Sequence, residues 1–217
     1  MGSSSGQLSH RATCNEPARQ GEKGLIGLSA SDYRSFGVIA YKEGRYDNAI
    51  RYFTAALERN PQDYRTLTSL GVTYFQKGEL IPNQNKKIDW NMKAVEAHMK
   101  AIKLNPTFVV AYSNLGISLY YVGREEQAIR AEEKAIQLDP SYAEAYYNLA
   151  SIYSLKNKKE AALEQLAQAI QKGYNNLGEM AADRSLDNIR DTPRYQQLQQ
   201  LVKSGLEIPK DQGEGPK

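Results

Sequence analysis

The 217-residue chain holds few side chains that do chemistry at neutral pH. It has two histidines, His10 and His98, and one cysteine, Cys14. A zinc site needs about four Cys, His or carboxylate ligands at set spacings, and the sequence holds no such set. No glycine loop for phosphate and no nucleophile motif occurs. The acidic neighbours Glu125-Glu126 and Glu132-Glu133 are the remaining pairs that resemble an acid and a base, and solvated helix faces are the expectation for both. The chain is therefore expected to be no enzyme and to need no cofactor or metal.

Charge excludes further classes. Lys plus Arg is 28 against 25 for Asp plus Glu, a net charge of +3, with no basic cluster of the kind a nucleic-acid surface requires. No run approaches the roughly 18 consecutive apolar residues of a membrane span. A lone cysteine forms no intramolecular disulfide and leaves both reducing and oxidising compartments open. The cytoplasm is favoured, with the periplasm open if a leader was removed. The 41% apolar content supports a core. Fifteen tyrosines against four phenylalanines suit half-buried contact surfaces, since Tyr joins an apolar ring to a polar tip.

Helices recurring at a fixed period must position these side chains. Gly37, Gly71, Gly116 and Ala150 lie 34, 45 and 34 residues apart. Two alanine series, Ala49/Ala94/Ala128/Ala162 and Ala56/Ala101/Ala135/Ala169, give 45, 34 and 34. The longer step is 34 plus an insertion of 11, and the two orders place it between Gly71 and Ala94. Three units close on Asn60-Pro61, Asn105-Pro106 and Asp139-Pro140. The periodicity predicts helices over 31–43 and 46–59, 64–77 and 91–104, 109–122 and 125–138, and 143–156 and 159–172. Residues 1–29, without helical period and rich in Gly and Ser, are expected to be a disordered leader with no secretory signal. Residues 204–217 are expected to be a flexible tail.

Tyr33-x-x-Phe36-Gly37, Leu67-x-x-Leu70-Gly71-x-x-Tyr74, Tyr112-x-x-Leu115-Gly116 and Tyr146-x-x-Leu149-Ala150-x-x-Tyr153 place large residues on the helical face of a small one. Gly44, Gly78 and Gly123 stand where turns are expected. This pattern resembles the tetratricopeptide repeat. The resemblance implies an all-α, right-handed α-solenoid of four helix pairs, 30–63, 64–108 with an insertion at about 79–92, 109–142 and 143–174. Residues 175–203, with Asp183, Leu186, Ile189 and Pro193-Arg194-Tyr195, resemble the closing segment of bacterial members. That likeness predicts a capping helix from Pro193 to about Val202, with Leu198 and Leu201 facing the last repeat.

The resemblance also implies a function. Leading helices line a concave groove, so the expected contacts are Arg34, Val38 and Tyr41, then Arg65, Val72 and Phe75. The third unit supplies Asn114, Ile117, Tyr120 and Tyr121, and the fourth Tyr147 and Asn148. Tyr41, Phe75, Tyr120 and Tyr147 are expected to form one aromatic strip. Asn114 and Asn148 suit bidentate contact with a ligand backbone or are ordinary helix-surface residues. Chaperone-binding relatives hold a terminal carboxylate with Lys and Asn. Here Arg34 is followed by Val38, Ser69, Val110 and Asn114, which argues against a heat-shock co-chaperone. The expected role is a non-catalytic scaffold holding a segment of another protein or a peptide. The alternatives are a self-associating assembly subunit and an accessory domain of a larger enzyme system.

Two features stay apart from the pattern. His98 and Glu132 occupy the repeat position held by Phe53 and Leu166; each is expected to reach the surface past its apolar neighbours, the alternative being that the two face each other and pair. The insertion contains the sole tryptophan, Trp90, and is expected as a loop that either binds or folds back as a plug.

Overall fold

The computed structural model describes residues 27–205; the expected leader up to residue 26 and the tail from 206 lie outside the described residues. Helices α1 (Ala30–Lys42) and α2 (Tyr46–Arg59) form the first pair. They are followed by α3 (Tyr64–Glu79) with α4 (Gln84–Leu104), α5 (Val109–Tyr121) with α6 (Glu125–Leu138), and α7 (Ala143–Leu155) with α8 (Lys159–Gln171). Within each pair the helices pack on one another, and α2, α4 and α6 pack on the leading helix that follows. Leading helices also touch in sequence, α1 with α3, α3 with α5 and α5 with α7. This neighbour-to-neighbour stacking makes an all-α solenoid, and among the described residues there is no strand.

Local chemistry sets the boundaries. Ser29 and Asp32 close a capping box at the start of α1. Gly44, Gly123 and Asn157 sit at φ 71°, 78° and 55° in the turns of the first, third and fourth pairs, where a left-handed residue ends the leading helix. Asn60, Asn105 and Asp139 each accept an N–H from two residues on, at 3.3, 3.1 and 2.9 Å. These side chains fix the turns that carry Pro61, Pro106 and Pro140.

Small residues set how closely paired helices approach. A Cβ at Gly37 would stand 2.5 Å from Phe53 Cε1, one at Gly71 2.4 Å from His98 Cε1, and one at Gly116 2.5 Å from Glu132 Oε1. In the fourth pair Ala150 and Leu166 share one apolar cluster. Each trailing helix thus drives one side chain against the small residue of its partner.

The second pair departs from expectation. Most of its insertion is helix instead of loop: α3 has 16 residues against 13 in α1, and α4 has 21 against 14 in α2. Asn83 caps α4 by accepting the Lys86 N–H at 3.0 Å, so the polar run after Pro82 starts a helix. Gly78 accordingly is no left-handed turn. It lies inside α3, where a Cβ would meet Asn91 Oδ1 at 2.9 Å and Trp90 Cβ at 3.0 Å. The glycine admits the added turns of α4.

The C-terminal segment covers the last repeat. It comprises α9 (Leu177–Ala182), a 3-10 turn (Arg184–Leu186), α10 (Asp187–Arg190) and α11 (Pro193–Ser204). Thr192 caps α11 and Pro193 occupies its first turn. Met180, Leu186, Ile189, Tyr195 and Leu198 are buried with Leu163 and Leu166, and Leu201 packs at the edge. Each such side chain contributes about 1.5–3 kcal/mol of burial. Arg190 ties the segment together, donating to the carbonyls of Met180 at 3.2 Å and Asp183 at 2.8 Å.

Candidate functional site

The face built from the leading helices opens into two cavities instead of one continuous strip. The first, about 490 Å³, is lined by Val38, Tyr41, Lys42, Arg65, Thr68, Val72, Val110 and Asn114 among others. The second, about 350 Å³, is lined by Phe75, Ile117, Tyr120, Tyr121, Tyr147, Asn148, Ser151 and Leu155, with Glu179, Asp183 and Ser185 of the cap. Phe75 and Tyr121 meet edge to face at 5.0 Å, and Tyr121 meets Tyr120 the same way at 5.9 Å. The aromatic wall is therefore held by contacts of its own.

Arg34 lies outside both cavities. Its guanidinium pairs with Asp63 at 3.0 Å, and Asp63 also caps α3 through Arg65 N and Thr66 N. Burial would raise the Asp63 carboxyl, but the Thr66 hydroxyl and N–H and the Arg34 charge outweigh it and hold the group below its ordinary value. Arg34 thus fixes the joint between the first two repeats.

Tyr147 is also placed otherwise than expected. It is 4% exposed, its ring stacks on Tyr174 at 4.3 Å, and its hydroxyl donates to Asp183 at 2.8 Å. Burial first, then the Asp183 charge, push its phenol far above the ordinary range. The segment from Tyr174 to Asp183 covers a position that would otherwise face the groove. Tyr147 forms the cavity floor, while Tyr120 and Phe75 are half-buried walls.

The two asparagines differ. Asn148 turns inward and donates to Ser113 Oγ at 2.9 Å and to Glu132 Oε1 at 3.1 Å. Asn114 lines the first cavity, and its amide has no hydrogen-bond partner among the described residues. Trp90 packs on Tyr74 at 5.7 Å, with the ammonium groups of Lys77 and Lys93 at 4.5 and 4.2 Å from its ring. It lines neither of the two cavities.

His98 and Glu132 are buried, 1% and 0% exposed, and do not reach the surface. Their positions face Gly71 and Gly116 in the interior of a helix pair, so the backbone directs them inward whatever their polarity. Glu133, by contrast, is exposed. Burial pulls the His98 imidazole down to about 3. Burial likewise pushes Glu132 well above the ordinary carboxylate range, against the lowering effect of Ser113 and Asn148. Burial thus favours the neutral form of both groups. The register of the repeat was the available signal, since Phe53 and Leu166 hold the equivalent places.

Among the described residues no group of three His, Cys, Asp or Glu side chains is placed to hold a metal ion. No helix among them is long and apolar enough to cross a membrane.

Comparison with known proteins agrees with this architecture. Tetratricopeptide-repeat models match residues 35–80, 109–142 and 132–171, together half of the chain. A peroxisomal targeting signal receptor of Candida albicans is 32% identical over 101 residues, 46% of this chain and 15% of that protein. The Hsp70-Hsp90 organizing protein 2 of Arabidopsis thaliana is 30% identical over 95 residues, 44% of this chain and again 15% of that protein. The chain thus spans about a seventh of the length of these curated relatives. The crystal structure of MamA protein superposes with a TM-score of 0.57 over 81% of this chain and 86% of that one, at 24% identity, a likeness of fold. With the repeat matched by three family models and the stacked helix pairs it describes, the chain belongs to the tetratricopeptide-repeat family.

Proposed function

We propose that the protein is a non-catalytic interaction scaffold that holds a segment of another protein in the groove formed by its leading helices. The observation that carries this is the pair of apolar, aromatic-lined cavities along those helices, which no part of the described chain fills. Concave apolar sites with a few placed polar groups are the usual form of a binding site, and rigid aromatic walls supply large contact area at small entropic cost. The relatives named as a targeting signal receptor and a chaperone organizing protein use names that denote recognition of other proteins. The Lys and Asn set that holds a terminal carboxylate is absent here, and the one nearby cation of that set, Arg34, is committed to Asp63. The occupant proposed is therefore an internal, extended segment.

The test is a selection of displayed random dodecapeptides on the full chain, repeated on the Phe75→Ala/Tyr120→Ala variant. Peptides that bind the parent and are lost from the variant, at equal helix content, support the groove. Peptides that bind both equally, or no enrichment at all, overturn it.

A further inference from the structure

The two cavities carry opposite charge. Lys42 and Arg65 line the first, with no acidic side chain around it, and neither forms an ion pair among the described residues. Asp183 and Glu179 line the second, whose lining holds no basic side chain, and among the described residues they too form no ion pair. Of the cations close by, Arg190 is spent on the carbonyls of Met180 and Asp183 at 3.2 and 2.8 Å, and Lys87, 5.5 Å from the Tyr121 ring, is committed to Glu79 at 2.8 Å.

Asp183 is held in place for contact. Its Oδ2 accepts from the Tyr147 and Ser151 hydroxyls at 2.8 and 3.2 Å, and its Oδ1 accepts the Ser185 N–H at 2.8 Å. A carboxylate has about four acceptor sites, so one remains. Glu179 is steadied by Tyr174 OH at 2.7 Å and Asn176 Nδ2 at 2.9 Å. The Ser185 hydroxyl, in the same lining, is buried without a hydrogen-bond partner. Oriented carboxylates, an unused acceptor and the rings of Phe75, Tyr120 and Tyr121 are the elements that receive a cation with an apolar stem.

Resting on the groove reading above, we propose that the cavity under the cap takes a lysine or arginine side chain of the bound segment. Asp183 and Glu179 neutralise its charge, and the aromatic walls line the alkyl stem. The opposite charge at Lys42 and Arg65 gives the segment a direction, with its basic residue toward the cap.

The peptides recovered from the selection described above supply the probe. Recovered sequences should share a Lys or Arg, and the synthetic peptide with that residue replaced by Gln should bind the unaltered protein about tenfold more weakly. Asp183→Asn should reduce the discrimination between the Lys and Gln peptides. Because Asp183 also caps the 3-10 turn, Glu179→Gln serves as a second variant, and melting temperature is measured for both. Enriched peptides without a basic residue, or equal binding of Lys and Gln forms, overturn the cation site and leave the groove standing. Absence of any enrichment, or retention by the Phe75→Ala/Tyr120→Ala variant, overturns both.

Discussion

Glu132 lies against Gly116, with Oε1 2.5 Å from where a Cβ at position 116 would stand and its Cδ and Cγ at 2.8 and 2.9 Å. The same place in the fourth repeat joins Leu166 to Ala150. The pair therefore behaves as a unit. Gly116→Ala alone should lower stability by about 1–3 kcal/mol through overfilling. Gly116→Ala/Glu132→Leu rebuilds the fourth-repeat pair and should recover most of that loss. Chemical unfolding of the two single variants and the double variant checks this, and additive effects would contradict the coupling.

His98 and Glu132 oppose each other in pH dependence. His98, pulled down from 6.5 to about 3, stays neutral in the fold while the unfolded chain protonates, so its contribution is lost as pH falls below 6.5. Glu132, pushed up from 4.5, keeps its proton in the fold while the unfolded chain releases it, so its contribution is lost as pH rises above 4.5. Between those values the two contributions slope in opposite directions. Glu132→Gln should match the parent below about pH 4.5 and become more stable than it above, by up to about 1.4 kcal/mol per pH unit. Other groups cancel in the difference. A difference that does not change from about pH 4 to pH 8 would show that Glu132 is not buried with its proton.

The repeat frame was legible in the sequence because it is written in small residues. Gly37, Gly71, Gly116 and the buried alanines sit where helices touch, and only small side chains fit there. The cap was legible through Pro193, which can open a helix, and Leu198. What escaped depends on contacts between distant segments. Tyr147 holds a groove position, but residues from Tyr174 to Asp183 cover it. The insertion looks like a loop by its Pro82 and Asn residues, yet Asn83 caps a helix there. Polarity alone puts His98 and Glu132 at the surface, although the glycines opposite them require a bulky inward neighbour.

Trp90 is expected to support the lengthened second pair instead of binding. Trp90→Ala should lower stability, since it removes the contact with Tyr74 and the two lysine–ring contacts. Peptide affinity should be unchanged, because the ring lines neither cavity of the groove. A loss of affinity at equal melting temperature would place the insertion in the binding surface.

Removal of Asp183 to Val202 should expose the apolar face of α8 and the buried Leu166. A solenoid whose last repeat is uncovered associates through that face. Light scattering should show aggregation of the truncated chain. A truncated protein that stays monomeric with an unchanged melting temperature would contradict the capping role.

The final prediction separates wall from floor in the groove. Phe75 and Tyr120 are half-buried walls, and Tyr147 is a buried floor with its hydroxyl on Asp183. Replacing Phe75 and Tyr120 together by Ala should weaken a groove-bound peptide by at least about 2 kcal/mol with helix content unchanged. Tyr147→Ala should act differently, lowering stability by about 3–5 kcal/mol as a large buried side chain is lost. Tyr147→Phe keeps the stack on Tyr174 and removes one hydrogen bond, a loss of about 1 kcal/mol in stability. Melting curves and peptide titrations on the same three variants decide between the roles. Walls lower affinity at intact stability, and the floor lowers stability first. An early melt of the Phe75/Tyr120 variant would make those rings structural and remove them from the binding surface.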